Sequence, residues 1–519
     1  MLKHLDGFSV HSSETIIKRP LSWLALISLF QILFWTLGPW FTRHTLVSDT
    51  LEGIAWGNLW QWGYDKHPPL AAWVTAIFAR LGETPDLPVY LLAQLCVVIA
   101  FIAVWRLSKE YLTGTGALLA VFLLQGVLFY SNRVERVTPD TLQSPIWALL
   151  ALSFYFAVTR QSMKQWLLCG ILAGLAVLSK YQAAVLFLPL FLCLILTVEG
   201  RASLKTAGPW LAGILALVII TPHLVWLYEN SFAAINYVES NYVNDADNKG
   251  KDWVAHFITP FEFALNSLSN VLLLLLLFWP FYRKSGLKTF DGEFKTVFLL
   301  AIALGPTLLT MLFGLFTGEK LVPRWATPYF AWLPLLMFYW FQPEISYRQF
   351  VRTVVLCLLT GLTLWSLRMA YLYYQPLFNE DYHEADEFLP AQEEMLKAEQ
   401  LWRQYYDYPI PYLGGLHYHV TELVAYSRSG TIPYLGLNPA ESLWMEEEDF
   451  LLRGGIIVIR EGDRHTRLVS ERLKQNYPEA VFLDTFKFKP HINIEVEDTR
   501  WTTIHYYLLE PAAIRQSRQ

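Results

Sequence analysis

Long apolar runs separated by short polar loops dominate the first 372 residues of the chain. A bilayer core of about 30 Å needs roughly 20 mostly apolar residues per helix, so runs of that size that end in charge or helix breakers are candidate membrane spans. The pattern predicts about eleven spans. They are 21–41, 88–105, 114–131, 142–158, 166–178, 182–198, 209–228, 263–282, 294–316, 325–341 and 351–372.

Lys and Arg collect in the loops on one side of these spans, around positions 18–19, 106–109, 160–164, 201–205, 283–288 and 348–352. Because short loops rich in Lys and Arg stay in the cytoplasm, this side is predicted to be cytoplasmic, together with the N-terminus. The run 21–41 has bulky residues and no small-residue cleavage site, so we expect it to remain as an anchor. The loop that begins at Asp49 and the chain after Tyr373 are then predicted to lie outside.

After Tyr373 the pattern changes to that of a soluble domain. Positions 393–405 and 465–476 predict helices, and 455–460, 480–486 and 502–509 predict strands. We therefore expect a polytopic α-helical membrane domain over residues 1–372 and an extracytoplasmic α/β domain over 373–519. The glycine pairs at 414–415 and 454–455 are turn signals that fall short of a phosphate-binding fingerprint.

Composition supports the membrane assignment, since 54% of residues are hydrophobic and 16% are charged, against about 25% charged in soluble proteins. The net charge of −5 leaves no electrostatic footprint for nucleic acid. All four cysteines lie inside apolar runs without metal-ligand spacing, so they are predicted to be core residues. They are Cys96, Cys169, Cys193 and Cys357.

Carboxylates stand at the start of the first outer loop. Asp49 follows the first span directly, where partial desolvation is expected to raise its pKa toward the basicity needed to deprotonate a hydroxyl group. The alternative is a solvated loop carboxylate. Glu52 lies three residues further, on the same face if the segment is helical, and is a candidate for positioning an acceptor or a divalent metal ion.

Further along this loop, Pro68 and Pro69 form a rigid exit. Lys66 and His67 are thereby presented in a set direction, and a phosphate at the membrane surface is a natural partner for them. The alternative for Lys66 is a snorkelling side chain that anchors the loop. The aromatic residues at 56, 60, 62 and 64 are expected to belong to a membrane-interface belt.

Other outer loops hold further ionisable residues between apolar helices. A lone cation flanked by membrane spans is a functional candidate, and Lys180 is predicted to be such a cation. Asp140, after Pro139, fits either a site role or an acidic residue in the first turn of a helix, and His223 is expected to be structural. The remaining cations are Arg133, Arg136 and Arg324.

Taken together, these motifs resemble the GT-C class of membrane glycosyltransferases. They are most similar to the bacterial family 39-type proteins, which are related to protein O-mannosyltransferases and to the aminoarabinose transferase of lipid A. The resemblance runs from Asp49 through WGYDKHPPLAAW, TPD at 138–140, LSKYQAA, TPHLVWLYEN at 221–230 and RWATPYFAWLP at 324–334. The family usually has an Asp-Glu pair in the first outer loop. Here Thr50 follows Asp49, and whether Glu52 replaces the second acid is open.

The resemblance implies a GT-C fold in a bacterial inner membrane and a polyprenyl-phosphate sugar donor. It also implies inversion at the sugar carbon and a lipid, glycan or protein acceptor met on the outer face. Asp49, with Glu52 beside it, would be catalytic, and Asp140 would be a further site residue. The donor phosphate would be held by cations from Lys66, His67, Lys180, Arg133, Arg136 and Arg324. No metal ligand set is predicted, and a divalent metal is left possible.

Two other classes of protein fit part of this pattern. A lipid or glycan transporter has many spans and charged loops, but it is expected to carry ionisable groups near span midpoints. The charges here gather at the predicted outer helix ends, which favours the enzyme. A structural membrane subunit with a docking domain differs from an enzyme in that the purified protein would not turn over donor.

Overall fold

The computed structural model describes residues 19–132, 134–238, 253–282, 287–378, 388–462, 466–492, 494 and 501–514. The membrane part, residues 19–378, is helical wherever regular structure is described. In chain order its helices are α1 Pro20–Thr42, α2 Ser48–Gly57, α3 Leu70–Ala79, α4 Asp86–Ser108, α5 Gly114–Phe122, α6 Leu128–Ser131, α7 Pro139–Arg160, α8 Met163–Ser179, α9 Ala184–Leu196, α10 Val198–Leu204, α11 Gly208–Glu229, α12 Ala233–Val238, α13 Ala255–Tyr282, α14 Phe294–Thr317, α15 Leu333–Phe341 and α16 Tyr347–Tyr374.

Seven helices within the described ranges are long and apolar enough to cross a membrane, or eight if the bent pair Tyr181–Leu196 and Val198–Leu204 is one span. The seven are α1, α4, α7, α11, α13, α14 and α16, and each coincides with a predicted span. The other predicted spans are shorter or broken helices, so a total of eleven stays a prediction. The stretch 325–341 is divided into two 3-10 turns and α15, because its prolines cannot donate the backbone hydrogen bonds of a continuous helix.

Buried glutamines tie the helices to the loop that precedes α7. Gln31 donates to Gln94 Oε1 at 3.0 Å, and Gln125 donates to Gln31 Oε1 at 3.1 Å. Gln94 donates in turn to the carbonyl oxygen of Val134 at 2.8 Å. Amides buried among apolar side chains need such partners, and these three glutamines hold the loop residue Val134 against α1 and α4.

Residues 388–514, the C-terminal unit, form a five-stranded sheet in the order β2-β1-β3-β5-β4. Strand β1 is parallel to β2 and β3, whereas β5 is antiparallel to β3 and β4. The predicted strands at 455–460, 480–486 and 502–509 are confirmed as β3, β4 and β5. The elements are α17 Ala391–Arg403, β1 Tyr412–Gly415, α18 His417–Tyr426, β2 Ile432–Leu435, α19 Glu447–Arg453, β3 Gly455–Arg460, α20 Thr466–Asn476, β4 Val481–Phe488 and β5 Thr502–Leu509.

The C-terminal unit docks on one end of the membrane part, here called the site end, where α1 ends and α2, α4 and α7 begin. Tyr426 on α18 donates to Asp86 Oδ1 at the start of α4, at 2.9 Å. Arg428 donates to the carbonyl oxygens of Gly82 and Glu83. These contacts place the C-terminal unit and the loop that begins at Asp49 on the same side of the membrane part.

Candidate active site

A cavity of about 550 Å³ lies at the site end, between the helix ends and the C-terminal unit. Its lining combines charged side chains from the loops with apolar side chains of α3, α9 and α14. Seven predicted site residues are brought together on this lining: Asp49, Glu52, Lys66, His67, Asp140, Lys180 and Arg324.

The two remaining predicted cations do not belong to this set. Arg133 falls outside the described residues, and Arg136 is not on the lining. Arg136 instead lies near Glu135, which is buried and accepts from Arg368 Nη2 at 2.7 Å. Burial alone would raise the pKa of Glu135, but Arg368, Arg43 and Arg136 together lower it. The prediction that Arg136 faces the phosphate is therefore not supported by its position.

Asp49 stands in the first turn of α2 and remains open to the cavity. Its Oδ2 accepts from Arg324 Nη1 at 2.8 Å, and its side chain is 36% exposed while that of Arg324 is 51% exposed. Arg324 is the second residue of a short 3-10 turn after α14, which begins at Pro323. An accessible carboxylate and a guanidinium from distant parts of the chain thus meet at the cavity wall.

Glu52 follows on the same face of α2, as predicted, but its environment differs from that of Asp49. Its side chain is buried, and Oε1 accepts from Lys66 Nζ at 2.6 Å and lies 3.0 Å from His417 Nε2. Burial alone would raise the pKa of Glu52, but His417 and Lys66 lower it. A carboxylate held ionised by two cations is a weak base, so Glu52 fits a charge-positioning role better than proton abstraction.

Lys66 is surrounded by aromatic rings from three elements. Its ammonium lies 5.6 Å from the ring centroid of Trp56, 5.7 Å from Tyr237 and 5.2 Å from Tyr418. Burial alone would lower the pKa of Lys66, but Glu52 outweighs it and raises the pKa. The ammonium is therefore held charged at the wall of the cavity, in a fixed position.

The surroundings of His67 do not favour the phosphate-binding cation that the sequence predicted. Burial, with the nearby charge of Lys180, lowers its pKa to about 3. The imidazole is therefore neutral at neutral pH, and it can offer a hydrogen bond to a ligand but no charge.

Lys180 is not the isolated cation that the sequence predicted. Its Nζ donates to Asp140 Oδ1 at 2.5 Å, and the two side chains are 13% and 7% exposed. Gln143 donates to the carbonyl oxygen of Lys180 at 2.9 Å, which fixes the end of α8 against α7. Asp140 also lies in the first turn of α7, as the alternative predicted, and the side chain of Thr138 caps that helix.

Side chains that the sequence analysis did not select complete the lining. Gln182 donates to Tyr329 Oη at 2.5 Å and to the carbonyl oxygen of Trp325 at 2.8 Å. Tyr237 and Tyr418 also line the cavity. Gln182 belongs to the LSKYQAA motif, which was a usable signal. Tyr418 is separated from the membrane motifs by the whole of the later chain, and only folding brings it here.

Two predicted interface aromatics are instead buried. Trp56 and Tyr64 stack with ring centroids 5.1 Å apart, and Tyr64 Oη donates to the carbonyl oxygen of Trp56 at 2.7 Å. His223 is structural in its contacts, since Nδ1 lies 2.7 Å from the carbonyl oxygen of Trp62. Within the described ranges, no three His, Cys, Asp or Glu side chains form a group that could hold a metal ion.

Comparison with known sequences points to one family. Residues 66–226 match the family model described as dolichyl-phosphate-mannose-protein mannosyltransferase. The chain is 26% identical over 306 residues to lipopolysaccharide core galacturonosyltransferase RgtA of Rhizobium johnstonii, which covers 56% of this chain and 59% of the relative. For RgtB of the same organism the identity is 24% over 329 residues, covering 61% and 65%. The chain thus spans less than two thirds of the length of either relative.

Among solved structures, the fold is similar to that of ArnT from Cupriavidus metallidurans. Against ArnT bound to undecaprenyl phosphate, the TM-score is 0.59 at 12% identity, covering 94% of this chain and 97% of that chain. Against apo ArnT, the TM-score is 0.56 at 11% identity. This likeness shows the fold, and it agrees with the sequence match over the segment from Lys66 to Trp226. The chain therefore has a fold similar to that of ArnT and is similar in sequence to the mannosyltransferase family model and to two galacturonosyltransferases, in line with the resemblance of its loop motifs.

Proposed function

We propose that the protein is an inverting glycosyltransferase that moves a sugar from a polyprenyl-phosphate donor to a hydroxyl group of a lipid, glycan or protein acceptor. The observation that carries the proposal is the cavity in which the accessible carboxylate of Asp49 faces Lys66, Lys180 and Arg324. The fold match to an ArnT structure that holds undecaprenyl phosphate and the similarity to two lipopolysaccharide core galacturonosyltransferases support it.

The proposed chemistry assigns the base to Asp49. Its carboxylate takes the proton of the acceptor hydroxyl while that oxygen bonds to the anomeric carbon. The bond from this carbon to the phosphate oxygen breaks on the opposite face, which inverts the configuration. The leaving group is polyprenyl phosphate, which departs with the bonding electron pair and needs no proton.

The cations of the cavity are assigned to the growing charge on that phosphate. Charge-assisted hydrogen bonds of this kind act most strongly in a site shielded from water. Lys66 and Lys180 come from different segments of the chain, and they are paired with Glu52 and Asp140 respectively. Arg324 is paired with Asp49 in the structure, and a bound phosphate would compete for the guanidinium and release the base for its acceptor.

We further propose that residues 1–372 form the catalytic membrane domain and that 373–519 form a periplasmic domain in a bacterial inner membrane, with the N-terminus cytoplasmic. The positive-inside distribution of Lys and Arg supports this orientation. Labelling of a cysteine introduced at Gly430, which lies in an exposed loop of the C-terminal unit, tests it. We expect the cysteine to be labelled from the periplasmic side. Labelling that occurs only after lysis would contradict the proposed topology.

To test the activity, purified protein in lipid is incubated with a panel of polyprenyl-phosphate sugars and candidate acceptors. Release of polyprenyl phosphate together with labelled acceptor is expected for one sugar class. Movement of intact donor across vesicle membranes without release would support the transporter alternative instead. The charged residues of the cavity lie at helix ends, Asp140 in the first turn of α7 and Lys180 just after α8, which favours the enzyme.

A further inference from the structure

The first two residues of one helix of the C-terminal unit contact the cavity or a residue that lines it. Helix α18 packs along α2, and its N-terminal residues His417 and Tyr418 face the membrane part. His417 Nε2 lies 3.0 Å from Glu52 Oε1, and Tyr418 belongs to the lining of the cavity.

His417 and Lys66 converge on the same oxygen atom. Lys66 Nζ donates to Glu52 Oε1 at 2.6 Å, the atom that also accepts from His417. The second ring nitrogen of His417, Nδ1, lies 3.4 Å from Glu441 Oε2, so the imidazole stands between two carboxylates. One negative charge shared by two cations neutralises neither completely. The ammonium of Lys66 therefore keeps more of its positive charge toward the cavity than it would if it were the only partner of Glu52.

The charge on His417 follows from all the groups packed around it. Burial alone would lower its pKa, but Glu441 and Glu52 outweigh burial and the repulsion of Lys66 and raise the pKa to about 9. Arg472 on α20 approaches Glu441 at 3.5 Å. Asp65 stands on the loop beside Lys66, and burial together with Glu52 raises its pKa to about 6.

Tyr418 contacts the same ammonium with its ring. Its ring is the nearest of the three around Lys66, at 5.2 Å from Nζ, and it is the one that the C-terminal unit supplies. An aromatic face attracts a cation without removing its charge. The ring therefore restrains Lys66 and leaves the ammonium able to bind an anion.

Helix α18 is held firmly enough to set these positions. His419 directly follows Tyr418 in the helix, and its Nε2 lies 2.6 Å from Glu394 Oε2, with both side chains buried. At the far end of the helix, Tyr426 donates to Asp86 of α4. The helix is thus fixed both to its own unit and to the membrane part.

We propose that His417 and Tyr418 are positioning residues of the donor site, which hold Lys66 in place with charge available for the phosphate of a polyprenyl-phosphate ligand. This assignment rests on the proposed function. It means that the C-terminal unit is part of the donor site, and it names residues of the unit that determine donor affinity.

The test uses the full-length protein and the variant His417→Gln, with His505→Gln as matched control. His505 is another imidazole of the C-terminal unit, paired with Glu461 at 2.8 Å and absent from the cavity lining. We expect His417→Gln to raise the KM for donor about tenfold, the effect of weakening one charge-assisted hydrogen bond, with kcat within about threefold of the parent. The control is expected to match the parent in both constants.

A double variant distinguishes a positioning role of His417 from a general loss of structure. Glu52→Gln removes the shared negative charge, so adding His417→Gln to it should change KM by less than about twofold, because coupled groups are not additive. An equal loss in both backgrounds would overturn the proposal, and so would a fall in kcat with KM unchanged.

Direct binding of undecaprenyl phosphate, measured by its stabilisation of the protein against heat, keeps the two proposals distinguishable. A parent protein that binds this lipid but transfers no sugar would refute the proposed function. Binding by His417→Gln as tight as that of the parent would refute the positioning role.

Tyr418→Leu provides an independent variant should His417→Gln fail to fold. Tyr418 is 53% exposed, and Tyr405, 51% exposed in the same unit, supplies the control Tyr405→Leu. Loss of one cation–π contact is expected to weaken binding of undecaprenyl phosphate by about threefold to tenfold. Equal binding by the two leucine variants would count against Tyr418.

Discussion

Replacement of Asp49 by asparagine is the sharpest test of the proposed chemistry. The amide keeps the size of the side chain but cannot take the proton of an acceptor hydroxyl. A general base contributes about 10²- to 10⁴-fold to the rate, roughly 3 to 5 kcal/mol of barrier. We therefore expect Asp49→Asn to lower kcat by that factor with saturating donor, measured as release of polyprenyl phosphate.

The structure also indicates how little the same change should cost in folding. Within the described part of the chain, the ion pair that Asp49→Asn removes is the one with Arg324 at 2.8 Å, in which both side chains are more than one third exposed. Exposed pairs of this kind contribute about 0.2 to 1 kcal/mol. The thermal unfolding midpoint should therefore stay close to that of the parent while turnover falls.

Asp291→Asn is the matched control for this experiment. Asp291 Oδ2 pairs with Lys288 at 2.7 Å, and its side chain is 27% exposed, but it precedes α14 at the end away from the cavity. It should leave kcat unchanged. Near-normal turnover by Asp49→Asn would refute the assignment of the base, and a parallel loss of folded protein would show that the residue acts on stability instead.

Three further predictions concern the surroundings of the site. Lys180→Ala should lower kcat/KM by about tenfold to a hundredfold. It should also destabilise the fold by roughly 3 to 5 kcal/mol, because the charge of Asp140 is left buried without its partner. Adding Asp140→Asn should restore the unfolding midpoint but not the activity. Gly57→Ala should destabilise the protein by about 1 to 3 kcal/mol, since an added Cβ would lie 2.1 Å from a backbone oxygen of α3, whereas Gly213→Ala meets nothing within 4 Å and should be tolerated. The stabilising contribution of His417, whose pKa is raised from 6.5 to about 9, should be complete below pH 6.5 and lost as the pH rises through 9. The fall of the unfolding midpoint between pH 7 and 10 should then be smaller in His417→Gln, and an unchanged pH dependence would contradict the pairing.

The sequence by itself predicted those features that depend on local pattern. Runs of apolar residues predicted the seven long membrane helices, because a helix exposed to lipid must be apolar along its whole length. Alternation and turn residues predicted β3, β4 and β5 in the C-terminal unit. The motifs around Asp49, Lys66 and Lys180 predicted the similarity to glycosyltransferases and seven of the polar residues that line the cavity.

Only the tertiary structure decided which charged side chains form ion pairs with each other. Asp140 and Lys180 are forty positions apart, and Asp49 and Arg324 are separated by most of the membrane part. Ion pairs between separate helix ends depend on how those ends pack, and no periodicity along the chain records this. The same packing surrounds His67 and lowers its pKa, which disfavours the cation that its neighbours in the sequence suggested.

The contact of the C-terminal unit with Glu52 and Lys66 could not be predicted from the sequence. His417 follows a glycine pair that locally indicates nothing more than a turn, and its partner Glu52 is 365 positions earlier. A single histidine is chemically ambiguous until its neighbours are known, because burial and nearby carboxylates shift its pKa in opposite directions. Docking of α18 on α2 supplies those neighbours, so only the tertiary structure shows that the histidine at the start of α18 is a charged partner of Glu52.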